Sequence, residues 1–253
     1  MPLTTQDIQR LFLVINAMQK ILLTALVAGV IAGFSIFAVQ SFKLTPLILQ
    51  AEAYEEADAA KHEVAEATMA ASHDHHHDSE EETWQPANGF ERDLYRLVAN
   101  IGMGIGFALM LVGAFTLRGD AMDMRRGVLW GVAGFTTFSL APGFGLPPEL
   151  PATMAAELFA RQAWWIGTAL ATAFGIYTVV FSRSNAVKVF GLAIMALPQI
   201  IGAPIPPLGG VVPTELNAQF AAASLATMAI FWVVLGAASG WFYGRNATPT
   251  PAQ

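Results

Sequence analysis

The sequence predicts an all-α integral membrane protein, built as a bundle of six transmembrane helices. Of its 253 residues, 55% are hydrophobic and only 13% are charged, against about 25% charged residues in an ordinary soluble domain. Six stretches contain no Asp, Glu, Lys or Arg, and each has at least the ~20 residues that a membrane-spanning helix requires. These stretches are residues 21–42, 97–117, 127–148, 162–182, 189–214 and 216–244.

The charges around these stretches predict the orientation of the chain. We assign the spans to residues 21–43, 94–117, 127–144, 162–182, 187–204 and 218–244. If residues 1–20 are cytoplasmic, the cytoplasmic side carries eight basic and three acidic residues, and the other side carries five basic and sixteen acidic residues. Basic residues in short loops stay on the cytoplasmic side. We therefore expect a multi-pass protein of a bacterial inner (plasma) membrane, with residues 1–20 and the tail 245–253 both cytoplasmic.

Two patterns concern the packing of these helices. Apolar residues at helical spacing within residues 1–20 predict a short amphipathic helix, which lies in the inner headgroup layer or docks a partner. Small residues four apart let two helices approach closely, and four of the spans contain them. The glycines in this pattern are Gly29/Gly33, Gly102/Gly106, Gly127/Gly131 and Gly236/Gly240/Gly244.

The one long polar segment, residues 44–93, is predicted to be a His-rich loop on the outer face. Its first half is rich in Ala and Glu, which favour a helix, and its second half holds four of the five histidines within five positions. Imidazole and carboxylate groups bind divalent Co, Ni, Zn and Cu, and a run without fixed spacing is typical of a flexible collector. The alternative is a solvated acidic loop that binds no metal. The candidate metal ligands are His62, His73, Asp74, His75, His76, His77 and Asp78.

Two apolar segments, residues 141–151 and 202–213, are too rich in proline and glycine to continue a helix. Such breaks are tolerated at membrane depth where protein or a wet cavity satisfies the backbone, and they often mark the substrate path of transporters. The alternative for these two segments is a pair of short packed turns. The alternative for Gln162 and Gln199 is a hydrogen bond between helices. A short outer helix beginning at Pro151 is predicted across residues 152–160. The candidate path residues are Asn100, Pro142, Pro147, Pro148, Glu149, Gln162, Gln199, Gly202, Pro204 and Glu215.

The sequence also argues against several classes of protein. It contains no cysteine, which excludes disulfides and thiolate metal sites. The charge-free stretches also lack histidine, so no proton relay or tight ion site deep in the membrane is predicted. No nucleotide-binding loop, Ser/His/Asp arrangement or HExxH motif is present. We therefore expect no enzyme, no cofactor and no nucleic-acid partner; the expected partners are the lipid bilayer and a divalent metal ion.

Three motifs give the chain a resemblance to a known family. They are Ala141-Pro142 with Gly145-Leu-Pro-Pro-Glu-Leu-Pro151, Arg161-Gln162-x-Trp164-Trp165, and Leu197-Pro198-x-Ile200-x-Gly202-Ala203-Pro204. Together with the histidines after the first span, they make the chain similar to the CbtA family of proposed cobalt transporter subunits. The resemblance implies cobalt supply, often tied to cobalamin synthesis, and a small single-span partner of the CbtB type. It also implies a histidine near the position of Gln199, so one candidate ligand is absent from this chain.

Three functions are consistent with these features. The first is a membrane subunit of a divalent-metal uptake transporter, in which the outer loop captures the ion and the helical bundle forms its path. Its substrate is Co²⁺, with Ni²⁺ or Zn²⁺ as alternatives, because histidine and carboxylate ligands do not distinguish these ions. The second is a membrane metal sensor or assembly protein without transport activity of its own. The third is a transporter of a small organic solute.

Overall fold

The computed structural model describes residues 4–69, 86–87, 89–207 and 209–245, and these residues contain helices and no strand. The all-helical prediction is therefore confirmed for the described part of the chain. A π-helix, Thr136–Leu140, joins the fourth and fifth helices. The helices are α1 (Thr5–Lys43), α2 (Thr45–Met69), α3 (Phe90–Arg118), α4 (Met124–Phe135), α5 (Ala141–Gly143), α6 (Leu158–Phe181), α7 (Asn185–Ile201) and α8 (Thr214–Arg245).

The membrane-spanning capacity of these helices agrees only in part with the six predicted spans. Within the described ranges, four segments are long and apolar enough to cross a membrane: Val14–Lys43, Phe90–Arg118, Leu158–Phe181 and Thr214–Arg245. The third predicted span is divided by the π-helix, and α7, in the fifth, has 17 residues. The count of six helices is not confirmed, because α2 lies within the predicted loop and adds a further helix.

The N-terminal part of the chain differs from its prediction. The separate amphipathic helix of residues 1–20 is wrong for the described residues, because α1 runs unbroken from Thr5 to Lys43. Residues 5–28 contain no proline or glycine that would end a helix. Helix α1 ends shortly before Pro46. The ring of Pro46 would clash with a helical turn that precedes it, but proline fits well in the first turn of the next helix, α2.

The π-helix is explained by Pro142. Proline has no N–H, and in a regular α-helix its ring clashes with the carbonyl four residues earlier, which here belongs to Phe138. Phe138 lies inside Thr136–Leu140, and the wider π-turn makes room for the ring. Pro142 itself is buried.

The described residues form two compact units. The first contains the described parts of Met1–Ala38, Arg96–Ser139 and Thr227–Gln253, and the second those of Val39–Tyr95 and Leu140–Ala226. Within the first unit, Phe138 stacks on Trp232 with ring centroids 5.7 Å apart. Its core contains mainly alanines from α1 and mainly larger residues from α3 and α8. The members are Ala25, Ala28, Ala32, Ile36, Ala108, Leu111, Val112, Phe115, Phe231, Trp232 and Leu235.

Glycines set the closest helix contacts of the first unit. A Cβ atom at Gly29 of α1 would lie 2.5 Å from the Cα of Ile105 in α3. A Cβ at Gly236 of α8 would overlap the carbonyl oxygen of Gly127 and lie 2.9 Å from the Cα of Gly131, both in α4. The predicted close approach at these glycines is confirmed, and it is the arrangement that small residues permit between membrane helices.

The prediction of close packing at Gly102 and Gly106 is wrong. Among the described residues, no atom lies within 4 Å of a Cβ built at either position. Gly104, between them, faces Gly29 of α1 instead. Because residues two apart on a helix point to different sides, the glycine pattern of α3 identified the helix but not the side that contacts α1.

The second unit contains the α6–α7 hairpin and both Pro/Gly segments. α6 and α7 contact each other at Gly175 and Gly191, where a Cβ on Gly175 would lie 2.8 Å from the Gly191 carbonyl oxygen. α7 ends at Ile201, three residues before the end of the fifth predicted span, because Gly202 has a φ of +87° that a helix does not accommodate.

Candidate functional site

The first break in the helices covers residues 144–157, between α5 and α6. The amide N–H of Leu146 donates to the carbonyl oxygen of Pro142 at 2.8 Å and closes α5. The chain then runs without helix to Glu157, and Ala152 has a φ of +59°, which is uncommon for a residue other than glycine. The outer helix predicted from Pro151 across residues 152–160 is therefore wrong, and regular helix begins at Leu158.

The second break covers residues 202–213, of which Leu208 lies outside the described residues. Gly202, Gly209 and Gly210 have φ values of +87°, +137° and +123°. Side chains with a Cβ atom disfavour such backbone conformations, so these glycines allow the sharp changes of direction between α7 and α8.

The two breaks contact each other. Thr153 and Gly210 form an isolated antiparallel backbone bridge. A Cβ atom at Gly145 would lie 2.8 Å from the Cβ of Ala203. The two apolar segments, which are distant in the sequence, therefore meet in one place, which we call the break junction.

Four polar contacts surround the break junction. The Gln199 side-chain N–H₂ donates to the Ala141 carbonyl oxygen at 2.8 Å, and the Trp164 indole N–H donates to the Pro198 carbonyl oxygen at 3.3 Å. Arg161 pairs with Glu149 at 3.1 Å, and the Thr153 hydroxyl lies 3.1 Å from the Asn217 side-chain oxygen. These contacts link α5, α6, α7, α8 and the first break.

The Gln199 contact has a clear structural cause. The last carbonyl groups of a helix have no N–H partner within that helix, and Ala141 lies in the three-residue helix α5. Gln199 supplies the missing donor from the last turn of α7. The structure therefore assigns this residue a hydrogen bond to a neighbouring helix end, which is one of the two roles that its sequence position left open.

An apolar cluster attaches α2 to the same place. Ala51 of α2 is buried with Leu150 of the first break, Val212 of the second break and Leu216 of α8. At the start of α3, Arg92 forms an ion pair with Glu52, the residue after Ala51. The helix that leads towards the histidine run thus begins on the break junction.

The predicted path residues fall into two groups. Most of them belong to the second unit, where Pro142 is buried, Gln162 and Glu215 are exposed, and Glu149 is paired with Arg161. Asn100 belongs to the first unit and is buried in α3. The members in the second unit are Pro142, Pro147, Pro148, Glu149, Gln162, Gln199, Gly202, Pro204 and Glu215.

Sequence reasoning missed Thr153, Asn217 and two threonines of α6, Thr168 and Thr172, as candidate residues. The first two meet only because the breaks bring distant segments together, and no local pattern signals this. Thr168 and Thr172 are four residues apart, which places them on one side of a helix. That spacing within an apolar stretch was a usable signal.

Of the predicted metal ligands, His62 is in the described part of the chain. It is exposed on α2, with its Nε2 3.5 Å from Asp58, one turn earlier. No group of three or more His, Asp or Glu that could hold a metal occurs in the described ranges. The remaining predicted ligands, His73, Asp74, His75, His76, His77 and Asp78, lie outside them.

Glu157 fixes the end of the first break by capping α6. Its carboxylate accepts hydrogen bonds from the backbone N–H groups of Phe159 at 2.9 Å and Ala160 at 2.7 Å, and these bonds hold the pKa of Glu157 below its usual value. A lowered pKa means that the cap stabilises the fold above the carboxyl's ordinary pKa. That stabilisation is lost as the pH falls through the lowered pKa.

We expect Glu157→Gln to lower the melting temperature of the detergent-solubilised protein at neutral pH, because a neutral amide is the weaker cap. The difference from the unmodified protein should shrink as the pH falls through the lowered pKa of Glu157. Thermal unfolding at a series of pH values measures this. Glu55→Gln is the control, because Glu55 is exposed on α2, and this variant should keep the melting temperature of the unmodified protein. A constant difference at every pH would contradict the capping role.

Comparison with known proteins identifies the family of this chain. The sequence model of the family described as "Probable cobalt transporter subunit (CbtA)" matches residues 18–244. The chain belongs to the CbtA family. The resemblance found in the sequence is thereby confirmed, and the CbtA match includes α2, both breaks and all of their polar contacts. A CbtA protein is a membrane transporter subunit, which implies a further subunit and a metal substrate. No curated protein and no solved structure matches the chain.

Proposed function

We propose that this CbtA protein is the membrane subunit of a divalent-metal uptake transporter with Co²⁺ as its substrate. The His/Asp/Glu segment after α2 captures the ion at the outer face of a bacterial inner membrane. The break junction forms the entrance of the path, and a CbtB-type single-span protein completes the transporter. In this proposal the chain crosses the membrane six times with both termini in the cytoplasm, so that the histidine segment lies outside.

The observation that carries the proposal is the position of α2. Its first turns are buried against both breaks through Ala51, Leu150 and Val212, and its other end leads to residues 73–77. One helix therefore connects the segment that collects the ion to the break junction. The carbonyl groups and amides at the junction are weak, neutral ligands, which suits transit because an ion that is held too tightly cannot leave.

The proposal predicts how the histidines affect uptake. Replacing His73, His75, His76 and His77 by glutamine should lower Co²⁺ uptake at scarce cobalt by about tenfold, because the segment raises the local ion concentration. Uptake at excess cobalt should be unchanged. Acidification below about pH 6.5 should weaken capture in the unmodified protein, since protonated imidazole does not bind metal. Uptake of radioactive cobalt by cells that express each variant measures both effects.

The control changes the same segment without removing imidazole. Ser72→Ala with Ser79→Ala should leave uptake unchanged at every cobalt concentration. Equal uptake by the histidine variant and the unmodified protein at scarce cobalt would contradict the collector role.

A second experiment separates transport from sensing. The purified chain is reconstituted in liposomes that contain a cobalt-sensitive dye, with and without the small partner. Cobalt entry without the partner contradicts the sensor hypothesis, and no entry under either condition contradicts the proposed function. Competition by Ni²⁺, Zn²⁺ and small organic solutes identifies the substrate.

A further inference from the structure

Two hydroxyl groups on α6 are buried and have no hydrogen-bond partner among the residues that the structure describes. Thr168 and Thr172 are both 0% exposed. Neither Oγ1 atom has a partner within the described ranges. A buried polar group that makes no hydrogen bond destabilises a fold, and a hydrocarbon environment increases that penalty. Two such groups one turn apart on the same side of a helix therefore indicate a ligand that satisfies them.

Several other hydroxyls in the helices show the usual alternative, although those of Thr24 on α1 and Ser239 on α8 are also buried without a partner in the described ranges. Ser35, Thr116 and Thr136 each donate to the carbonyl oxygen four residues earlier, at 2.7–2.8 Å. Thr178, also on α6, donates to the Gly175 carbonyl oxygen at 2.9 Å. This bond to the preceding turn is the usual solution for threonine in an apolar helix. Thr168 and Thr172 do not make it, so their oxygens remain available to a third group.

These two threonines continue one side of α6 from the break junction. Trp164, one turn before Thr168, donates to the Pro198 carbonyl oxygen, and its indole lies where a Cβ on Gly145 would be. Gly175, three residues after Thr172, packs against Met195 of α7. The order along this side is therefore an indole at the junction, two unpartnered hydroxyls, and a contact with a methionine.

We propose that Thr168 and Thr172 contact the transported divalent cation through its water ligands as it moves along α6 from the break junction. The inference rests on the proposed function and adds two substrate-contacting residues to it. Hydroxyl oxygens accept hydrogen bonds from the water shell of the ion. Two neutral contacts one turn apart hold the hydrated ion weakly and let it move on.

The test uses valine, which has the shape of threonine but no hydroxyl. In liposomes, Thr168→Val with Thr172→Val should lower Co²⁺ entry by about tenfold, the factor expected from one lost hydrogen bond to a charged ligand complex. The melting temperature without metal should be unchanged or higher, because the variant no longer buries two unpaired hydroxyls. The rise in melting temperature on adding Co²⁺ should be smaller than in the unmodified protein.

Two matched variants keep the result interpretable. Thr168→Ser with Thr172→Ser keeps the hydroxyls and should retain entry. Thr136→Val removes a hydroxyl that already donates to the Val132 carbonyl oxygen, and it should have no effect. Entry at the unmodified rate by the double valine variant would overturn the inference, as would an equal loss in the double serine variant. If the unmodified protein with its partner admits no cobalt, the proposed function fails instead.

Discussion

Gly236→Ala is expected to destabilise the protein strongly, although it adds a single methyl group. The new Cβ would overlap the Gly127 carbonyl oxygen and lie 2.9 Å from the Gly131 Cα. Both obstacles are backbone atoms of α4, so the overlap is relieved only if α4 and α8 separate. Overpacking of this kind costs about 1–3 kcal/mol, and occasionally more. Thermal unfolding and gel filtration of the detergent-solubilised protein should show a lower melting temperature and aggregation.

Gly106→Ala is the matched control for this prediction. Gly106 belongs to a glycine pair of the same spacing, but among the described residues nothing lies within 4 Å of a Cβ at this position. Alanine is the better helix former by roughly 0.5–1 kcal/mol, so this variant should be as stable as the unmodified protein or more stable. Equal destabilisation by both substitutions would show that Gly106 is also covered and that the packing described for α3 is incomplete.

Gly145→Ala is expected to have the largest effect on transport, with a loss of Co²⁺ uptake of about tenfold or more, since overpacking of about 1–3 kcal/mol corresponds to that range. A Cβ at this position would lie 2.7 Å from the Trp164 indole Cζ2 and 2.8 Å from the Ala203 Cβ. The rigid indole must move, which breaks its hydrogen bond to the Pro198 carbonyl oxygen. Both breaks are then displaced at their point of contact.

Uptake and tryptophan fluorescence together measure this effect. The emission of Gly145→Ala should shift, because an indole that loses its hydrogen bond enters a different environment. Gly167→Ala is the control, since a Cβ there meets nothing within 4 Å in the described part of the chain; it should change neither uptake nor emission. A shifted emission with unchanged uptake would show that the break junction is not on the transport path.

Much of the fold was accessible from the sequence, because the membrane imposes simple rules on composition. Charge-free runs of at least 20 residues predicted helices, and α1, α3, α6 and α8 occupy four of those runs. The separate N-terminal helix was predicted wrongly, because amphipathic spacing shows which residues share a side and not where a helix stops. The outer helix at Pro151 failed for a related reason. Proline favours a first helical turn, but here Ala152 has a φ of +59° and Thr153 forms a backbone bridge with Gly210, and neither is compatible with a helix.

Composition and local sequence were sufficient to predict that the chain is helical, that it belongs in a membrane, and that proline and glycine interrupt it at two places. These properties depend on composition and on local backbone geometry, which neighbouring residues control. The three-dimensional arrangement was needed to show that the two interruptions meet, that Gln199 caps Ala141, and that Gly104 rather than Gly102 or Gly106 faces α1. Such contacts depend on how each helix is rotated and on which distant segment lies beside it. Many residues together determine the rotation of a helix and the identity of its neighbour, so neither can be predicted from a short stretch of sequence.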